Sequence, residues 1–430
     1  MMKILTTKNT IIALLILLFT WLGLLKNTVS ILFGGIVYCI ISYALCFLSF
    51  MMDYKGKGKS KHLKKTLFVL LLFSICYFLF SFLYQNGHFT TVLGYKIPVY
   101  SYNTIFNIPI WIANINIITR CSYLEKKKLF KYFNAILFYD VLITSITLLY
   151  DPNYARLNSA GQIIDSSKIF SLFGAMGYEL TYSIVILLPL YFYIWKITKK
   201  KRYIAFALLL IYYVYMSAFL IAIISVILNI SLCFIMNIKN KIVKITIILS
   251  LFIISTLLIS NMAVIGHLLV DISKKVPIYE IQQRFVQLSN WILYNDNSGA
   301  SLFRFDLYRR SLDGIIRHPI LGELVFDRTY PISDHSTLLD VWCGFGMIPF
   351  ILFVSIPIRM ISYFRISKNV ALYYAFLSSI LTFLFVSYFN QVLISPNILL
   401  VILVILPIAD DITDFSTKEV DKEKLVIDRR

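Results

Sequence analysis

The stretch YIAFALLLIYYVYMSAFLIAIISVILNISLCFIMN, residues 203–237, contains no charged side chain. As a single helix these 35 residues would extend about 52 Å, because an α-helix rises ~1.5 Å per residue. The hydrocarbon core of a bilayer is only about 30 Å thick. The stretch therefore predicts two membrane crossings, with the break between them near Ser217.

Apolar runs of similar character recur along the whole chain of 430 residues. Hydrophobic residues make up 59% and charged residues only 15%, whereas a soluble domain carries about 25% charged residues. We expect an all-α, polytopic integral membrane protein, since a β-barrel would show alternating segments of roughly ten residues. The predicted spans are 9–25, 29–50, 66–84, 100–119, 132–150, 169–195, 203–216, 217–237, 245–268, 336–358, 369–388 and 391–409.

The basic residues behind the net charge of +19 cluster in short segments between the predicted spans. Cytoplasmic loops of membrane proteins carry such an excess of Lys and Arg. With twelve spans and both termini in the cytoplasm, every cluster falls on the cytoplasmic side, so the charge requires no nucleic-acid partner. The clusters occupy residues 55–65, 120–131, 196–202, 239–244 and 359–368.

The order of spans and loops divides the chain into four parts. Residues 1–270 hold the first nine spans, and residues 271–335 form the one long extracytoplasmic loop. Residues 336–409 hold the last three spans, and residues 410–430 form a charged cytoplasmic tail. The six cysteines show no paired spacing, which favours neither a disulfide framework nor a zinc site.

The long loop contains a helical pattern at 301–322 that carries several arginines. Arg309 and Arg310 lie one turn from Asp306, so weak surface pairing is the structural alternative for them. Arg304 has no acidic residue one turn away on either side. An arginine without a local partner beside a membrane suits a phosphate group, whose oxygens fit the guanidinium fork.

The loop ends in a polar segment just before the next apolar run. Asp334 or Ser336 can cap the helix that follows, since either side chain can accept from its first free amides. His335 would then lie at the outer membrane surface, where it is either a capping residue or a proton acceptor. Asp340, deeper in the run, is placed to orient that histidine.

Three motifs resemble those of the O-antigen ligase and Wzy-type repeat-unit polymerase superfamily. They are RFDLY at 304–308, IRHPILG at 316–322 and HSTLLDVWCGFG at 335–346. Members similarly have about a dozen spans and one long outer loop late in the chain. Two positions depart from the pattern: Ser336 stands where many members have Asn, and Ala218 stands where many have Arg after a mid-span Ser.

The resemblance implies a membrane-embedded, inverting glycosyltransferase that needs neither a metal nor another cofactor. It would polymerise repeat units carried on undecaprenyl diphosphate into O-antigen, capsule or exopolysaccharide at the bacterial cytoplasmic (inner) membrane. Its partners would be the lipid-linked oligosaccharide, membrane lipids, a flippase and a chain-length regulator. The implied catalytic residues are His335 and Arg304, and the candidates for binding diphosphate or sugar are Arg310, Arg309, Arg284, Asp334 and Asp340.

Two alternatives remain open from the residues alone. A polysaccharide ligase would differ only in its acceptor, a finished surface glycolipid. A flippase for lipid-linked oligosaccharides would concentrate its charges within the membrane rather than in an outer loop. Besides Asp340, the acids Asp140 and Glu179 fall inside predicted spans, and we expect these two either to contact sugars or to pair with basic groups.

Overall fold

The structure is a computed structural model that describes most of the chain in several ranges. For the segments 89–92, 95–106 and 300–305, among others, it describes the backbone alone. The statements below concern residues 7–53, 60–81, 89–92, 95–159, 168–236, 238–276, 279–294, 300–327, 330, 332–366 and 369–413.

Helices account for almost all of this described chain, with one antiparallel hairpin in which Phe89 of β1 (Phe89–Val92) pairs with Pro98 of β2 (Tyr95–Pro98). The helices are α1 (Lys8–Trp21), α2 (Gly23–Phe50), α3 (Ser60–Ser81), α4 (Val99–Arg120), α5 (Tyr123–Tyr150), α6 (Tyr154–Ser159), α7 (Lys168–Leu172), α8 (Tyr178–Thr198), α9 (Lys201–Met216), α10 (Leu220–Met236), α11 (Lys241–Ser260), α12 (Met262–Ser273), α13 (Tyr279–Tyr294), α14 (Ala300–Arg317), α15 (Glu323–Phe326), α16 (Thr337–Phe345), α17 (Met347–Arg365), α18 (Val370–Phe389) and α19 (Pro396–Leu400), the last continued by a π-helical turn (Val401–Ile405).

Six helical segments in the described ranges are long and apolar enough to cross a membrane, or seven if the bent pair α1 and α2 counts as one span. The chain is therefore a polytopic helical membrane protein, as predicted, while the figure of twelve crossings stays a prediction. The six segments are His62–Phe80, Tyr123–Tyr150, Tyr178–Thr198, Met347–Arg365, Val370–Phe389 and Pro396–Thr413.

The predicted break near Ser217 is confirmed. Helix α9 ends at Met216 and α10 begins at Leu220. The Ser217 hydroxyl donates to the carbonyl of Val214 at 2.8 Å, and Ala218 has a left-handed backbone with φ of 54°. A side chain other than glycine rarely adopts that conformation, so the turn is strongly specified by its surroundings.

Several runs that the sequence predicts as continuous helices are interrupted, so those predictions were wrong in that respect. Hydropathy does not detect these breaks, because the residues on both sides of each break are apolar. Gly346, for example, has φ of 81°, which glycine adopts readily because it lacks a Cβ. The interrupted runs are 169–195, broken at 173–177, 245–268, broken at Asn261, and 336–358, broken at Gly346.

The first two predicted spans, 9–25 and 29–50, also have different boundaries in the structure. Helix α1 and the first part of α2 meet at Leu22 with a bend of 70°, and α2 breaks again at Gly34. The bend packs against the interruption before α8, where the Asn27 amide donates to the carbonyls of Ser171 and Ala175, each at 3.1 Å. Two interruptions distant in sequence thus stabilise each other.

Helix α8 lies at the centre of the bundle. Its residues Ile184, Val185, Ile186, Leu187 and Leu188 are all fully buried, so no face of this stretch is left for lipid. Helices that are apolar all round are typical of the interior of a large bundle. The residues at the ends of α8 are therefore held firmly relative to the helices packed around it.

A glycine contact joins the chain after α14 to the break between α16 and α17. The amide of Met347 donates to the carbonyl of Ile320 at 3.0 Å. A Cβ on Gly346 would overlap that same carbonyl oxygen, and one on Gly322 would overlap the carbonyl of Gly344. The motifs 316–322 and 335–346 therefore pack backbone against backbone.

We expect Gly346→Ala to lower the thermal midpoint of the purified protein more than Gly34→Ala does. Both glycines have positive φ, 81° and 78°, with ψ near 180°, so both variants strain the backbone by about 1–3 kcal/mol. Only Gly346 is also crowded, because nothing lies within 4 Å of a Cβ at Gly34. Overpacking therefore destabilises Gly346→Ala by about 1–3 kcal/mol more. Equal midpoints of thermal unfolding for the two variants would contradict the close packing at Gly346.

Candidate functional site

The carboxylate of Asp340 is the centre of the candidate site. Asp340 is 2% exposed, and both oxygens of its carboxylate accept hydrogen bonds. Oδ1 accepts from the hydroxyls of Ser311 at 2.9 Å and Ser333 at 2.6 Å, and from the Ser333 amide at 3.1 Å. Oδ2 accepts from the Ser336 amide at 3.1 Å and from Nε2 of Gln391 at 2.6 Å. One buried acid thus joins three segments that are far apart in sequence.

The environment of Asp340 has opposing effects on its protonation. Burial raises the pKa of the Asp340 carboxyl to about 6, and hydrogen bonds from Ser333, Ser311 and Ser336 act in the opposite direction. Helix α16 lies outside the six candidate spans. Above about pH 6 the carboxyl is therefore ionised, the form in which both oxygens only accept hydrogen bonds.

The network holds the loop that presents His335. The backbone amide of His335 donates to the hydroxyl of Ser333 at 3.2 Å, and the preceding residue, Asp334, has a left-handed backbone with φ of 58°. Ser336 caps α16 by accepting from the amide of Leu339 at 3.2 Å, which confirms one of the two predicted caps. His335 is half-buried between two residues that are fixed by Asp340, so its backbone position is closely defined.

Helix α14 docks on the same network. The Tyr308 hydroxyl donates to the carbonyl of Phe389 at 2.9 Å, and Ser311 reaches Asp340 one turn later. Arg309 and Arg310 lie between these two anchors, and both are exposed. Two of the predicted arginines are therefore carried on a helix segment that is fixed relative to the histidine loop.

The other predicted arginines are placed less closely. Arg304 belongs to α14 by its backbone, and its side chain lies outside the part of the chain that the structure describes. Arg284 is half-exposed on α13 and donates to Oε1 of Gln287 at 3.1 Å. The structure thus ties Arg309 and Arg310 to the His335 loop, and the binding roles of all four arginines stay predictions.

A non-helical segment between α18 and α19 completes the site, and sequence reasoning missed it. This segment contributes the Gln391 side chain, and its backbone also bonds to Thr337. The Thr337 hydroxyl accepts from the amide of Val392 at 2.7 Å and donates to the carbonyl of Asn390 at 3.2 Å. We predicted Gln391 only as the first residue of a span. The adjacent polar pair Asn390 and Gln391, set between two apolar runs, was the available signal.

This segment links the site to the middle of the chain. The Tyr178 hydroxyl, at the start of α8, donates to the carbonyl of Gln391 at 3.2 Å. The Tyr178 ring also packs edge-on against Phe219, with centroids 6.1 Å apart. Phe219 directly follows Ala218, so the break between α9 and α10 is connected to Asp340 through three contacts.

An ion pair lies beside Tyr178. Lys26 in the first turn of α2 bonds to Glu179, and the two side chains are 17% and 14% exposed. Of the two alternatives predicted for Glu179, the structure shows pairing with a basic group, although its partner Lys26 was not identified from the sequence. Asp140 instead accepts from the Gly23 amide at 3.1 Å, which supports the bend between α1 and α2.

The arrangement combines a histidine, a buried acid and exposed guanidinium groups on one rigid frame. Such groups can accept a proton and bind an anionic group. Among the residues that the structure describes, no group of three or more His, Cys, Asp or Glu side chains is suited to a metal ion. No protein-family model, curated protein or solved structure matches the chain.

We expect Asp340→Asn to loosen the histidine loop. An asparagine amide has one accepting oxygen, so its NH2 group would face donors that now bond to the carboxylate. Removing a hydrogen bond to a buried charge costs about 1.5–3 kcal/mol. We therefore expect the amides of residues 333–336 to exchange at least about tenfold faster in the variant than in the wild type. Hydrogen exchange with mass spectrometry measures this directly.

Ser311→Ala is the matched control, because it leaves the carboxylate in place. It removes one donor to Asp340 and one acceptor of the Ser333 amide, which still bonds to Asp340 at 3.1 Å. Its effect on exchange at residues 333–336 should be clearly smaller than that of Asp340→Asn. Unchanged exchange in Asp340→Asn would mean that the loop is held by other contacts.

Proposed function

We propose that the chain polymerises lipid-linked oligosaccharide repeat units into surface polysaccharide by glycosyl transfer from an undecaprenyl-diphosphate donor. The observation that carries the proposal is the junction at Asp340. There the arginine helix α14 and the histidine loop, whose motifs resemble the polymerase and ligase superfamily, bond to the same carboxylate.

In the proposed reaction, a hydroxyl of the acceptor sugar attacks the anomeric carbon of the donor. His335 takes the proton from that hydroxyl as the new glycosidic bond forms. The bond between the anomeric carbon and the diphosphate oxygen breaks, and the lipid diphosphate leaves with the electron pair. A single displacement of this kind inverts the configuration at the anomeric carbon.

The arginines would act on the leaving group. Negative charge develops on the diphosphate as its bond breaks, and guanidinium groups can stabilise it through paired hydrogen bonds. Arg309 and Arg310 are exposed and therefore accessible to such a group, and Arg304 precedes them by about a turn and a half. Arg284 and Asp334 would contact the diphosphate or its sugars. This chemistry requires no metal ion.

Asp340 would act mainly as a positioning residue. Its two oxygens bond to five donors of the protein, and the residue is 2% exposed. Direct contact between Asp340 and substrate stays a prediction. The proposal also includes twelve crossings, with the segment 271–335 outside the cytoplasmic membrane and both termini inside.

Deleting the gene tests the proposed activity against its alternatives. Loss of a polymerase should leave single repeat units that still reach the cell surface, because export and attachment are intact. Long lipid-linked chains would instead indicate a ligase, and repeat units trapped inside the cell would indicate a flippase. Gel electrophoresis of surface polysaccharide and mass spectrometry of lipid-linked glycans separate these outcomes.

We expect His335→Ala to reduce chain extension by about 100-fold or more in membranes supplied with the lipid-linked repeat unit, since a general base contributes 10²–10⁴-fold. The variant keeps Ser333 and Ser336 bonded to Asp340, so the protein should accumulate normally, as an immunoblot of membranes would show. His267→Ala, an exposed histidine on α12, is the matched control. Full activity of His335→Ala would exclude His335 as the base.

A further inference from the structure

An open groove of about 650 Å³ runs between α3 and α17, away from the site described above. Its walls combine basic groups with apolar side chains. The basic groups are Lys64, Lys65 and Arg359, and the apolar walls are formed by Phe68, Val69, Leu72 and Leu352.

The packing of the two helices places all the basic groups at one end of the groove. Phe73 of α3 contacts Phe353 of α17, with ring centroids 5.4 Å apart. Later in α3, Tyr77 and Phe80 contact Phe345, which precedes Phe353, so the two segments run antiparallel. Lys65, before Phe73, therefore lies at the same end as Arg359, after Phe353. Both helices are candidate spans, so the cations lie toward one membrane surface and the apolar walls extend toward the membrane interior.

The apolar wall of the groove faces outward. Phe68 is 62% exposed and Leu72 is 37% exposed. Leu72 lies seven residues beyond Lys65, which corresponds to about 10 Å along a helix. In a membrane protein such outward apolar side chains contact the acyl chains of lipids. The groove is therefore charged near the membrane surface and apolar toward the membrane interior. A phospholipid has the same order, with a charged headgroup at the surface and acyl chains inside.

The charge of the groove is of one sign. None of its lining residues is acidic, and in the described part of the chain neither Lys65 nor Arg359 takes part in a hydrogen bond or ion pair. Other basic residues of this protein are engaged: Lys126 pairs with Asp411, and Arg120 donates to the carbonyl of Met52 at 2.7 Å. Lys65 and Arg359 thus have no counter-charge among the residues that the structure describes.

We propose that this groove binds an anionic phospholipid of the bilayer. The phosphate lies between Lys65 and Arg359, with Lys64 alongside, and an acyl chain follows Phe68 and Leu72. Basic groups at a membrane surface attract anionic headgroups, whereas the ammonium of phosphatidylcholine compensates its own phosphate. This binding is independent of the proposed glycosyl transfer and does not require His335.

The test is native mass spectrometry of the full-length protein in detergent, with added dioleoylphosphatidylglycerol or dioleoylphosphatidylcholine. The two probes share their acyl chains, so a difference reports the headgroup. The wild type should retain phosphatidylglycerol preferentially. The double variant Lys65→Gln/Arg359→Gln should bind it about tenfold or more weakly, since each basic group near a membrane surface contributes substantially to anionic lipid binding.

Two further variants control the result. Lys131→Gln/Lys201→Gln removes the same charge from exposed lysines of α5 and α9 and should bind phosphatidylglycerol as the wild type does. Lys65→Arg/Arg359→Lys keeps the charge and should retain binding. Equal retention of the two phospholipids by the wild type would overturn the proposal, as would equal losses in the two charge-removing variants. With undecaprenyl phosphate added as a third probe, its preferential retention over phosphatidylglycerol would also overturn the proposal.

Discussion

The burial of one carboxylate, that of Asp340, fixes the relative positions of three segments that form the candidate site. An ionised acid removed from water is costly unless protein donors replace its hydration. Here five hydrogen bonds do so, and they come from α14, the loop before α16, and the segment between α18 and α19. Moving any one of these segments would leave part of the charge unsatisfied, so the three are fixed relative to one another.

The same requirement applies to three of the helix interruptions, each of which bonds to a distant segment. Backbone groups freed at a break inside a membrane protein need partners, because lipid offers none. The break before α2 uses Asp140, which accepts from the Gly23 amide, and the break before α17 uses the carbonyl of Ile320. At the break before α19, the side-chain amide of Asn107 donates to the carbonyl of Leu393 at 2.6 Å. Each break therefore brings a distant segment to a defined place.

Sequence reasoning succeeded where the deciding property was local. The length of the apolar run 203–237 predicted the break near Ser217, and the capping chemistry of Ser336 predicted the start of α16. It failed where the deciding partner was far away. The interruption at Gly346 depends on the carbonyl of Ile320, and the importance of Gln391 depends on Asp340, neither of which appears in hydropathy. Lys26 was missed because its partner Glu179 is 153 residues later.

The separation between Asp340 and Gln391 also bears on the order in which the protein is made. A chain is synthesised and inserted from its N-terminus, so Asp340 enters the membrane system 51 residues before Gln391 does. Until the last helices are in place, the carboxylate lacks one of its donors, and the histidine loop lacks part of its support. The candidate site is thus assembled at the end of biosynthesis, and a truncated chain carries its motifs without the frame that aligns them.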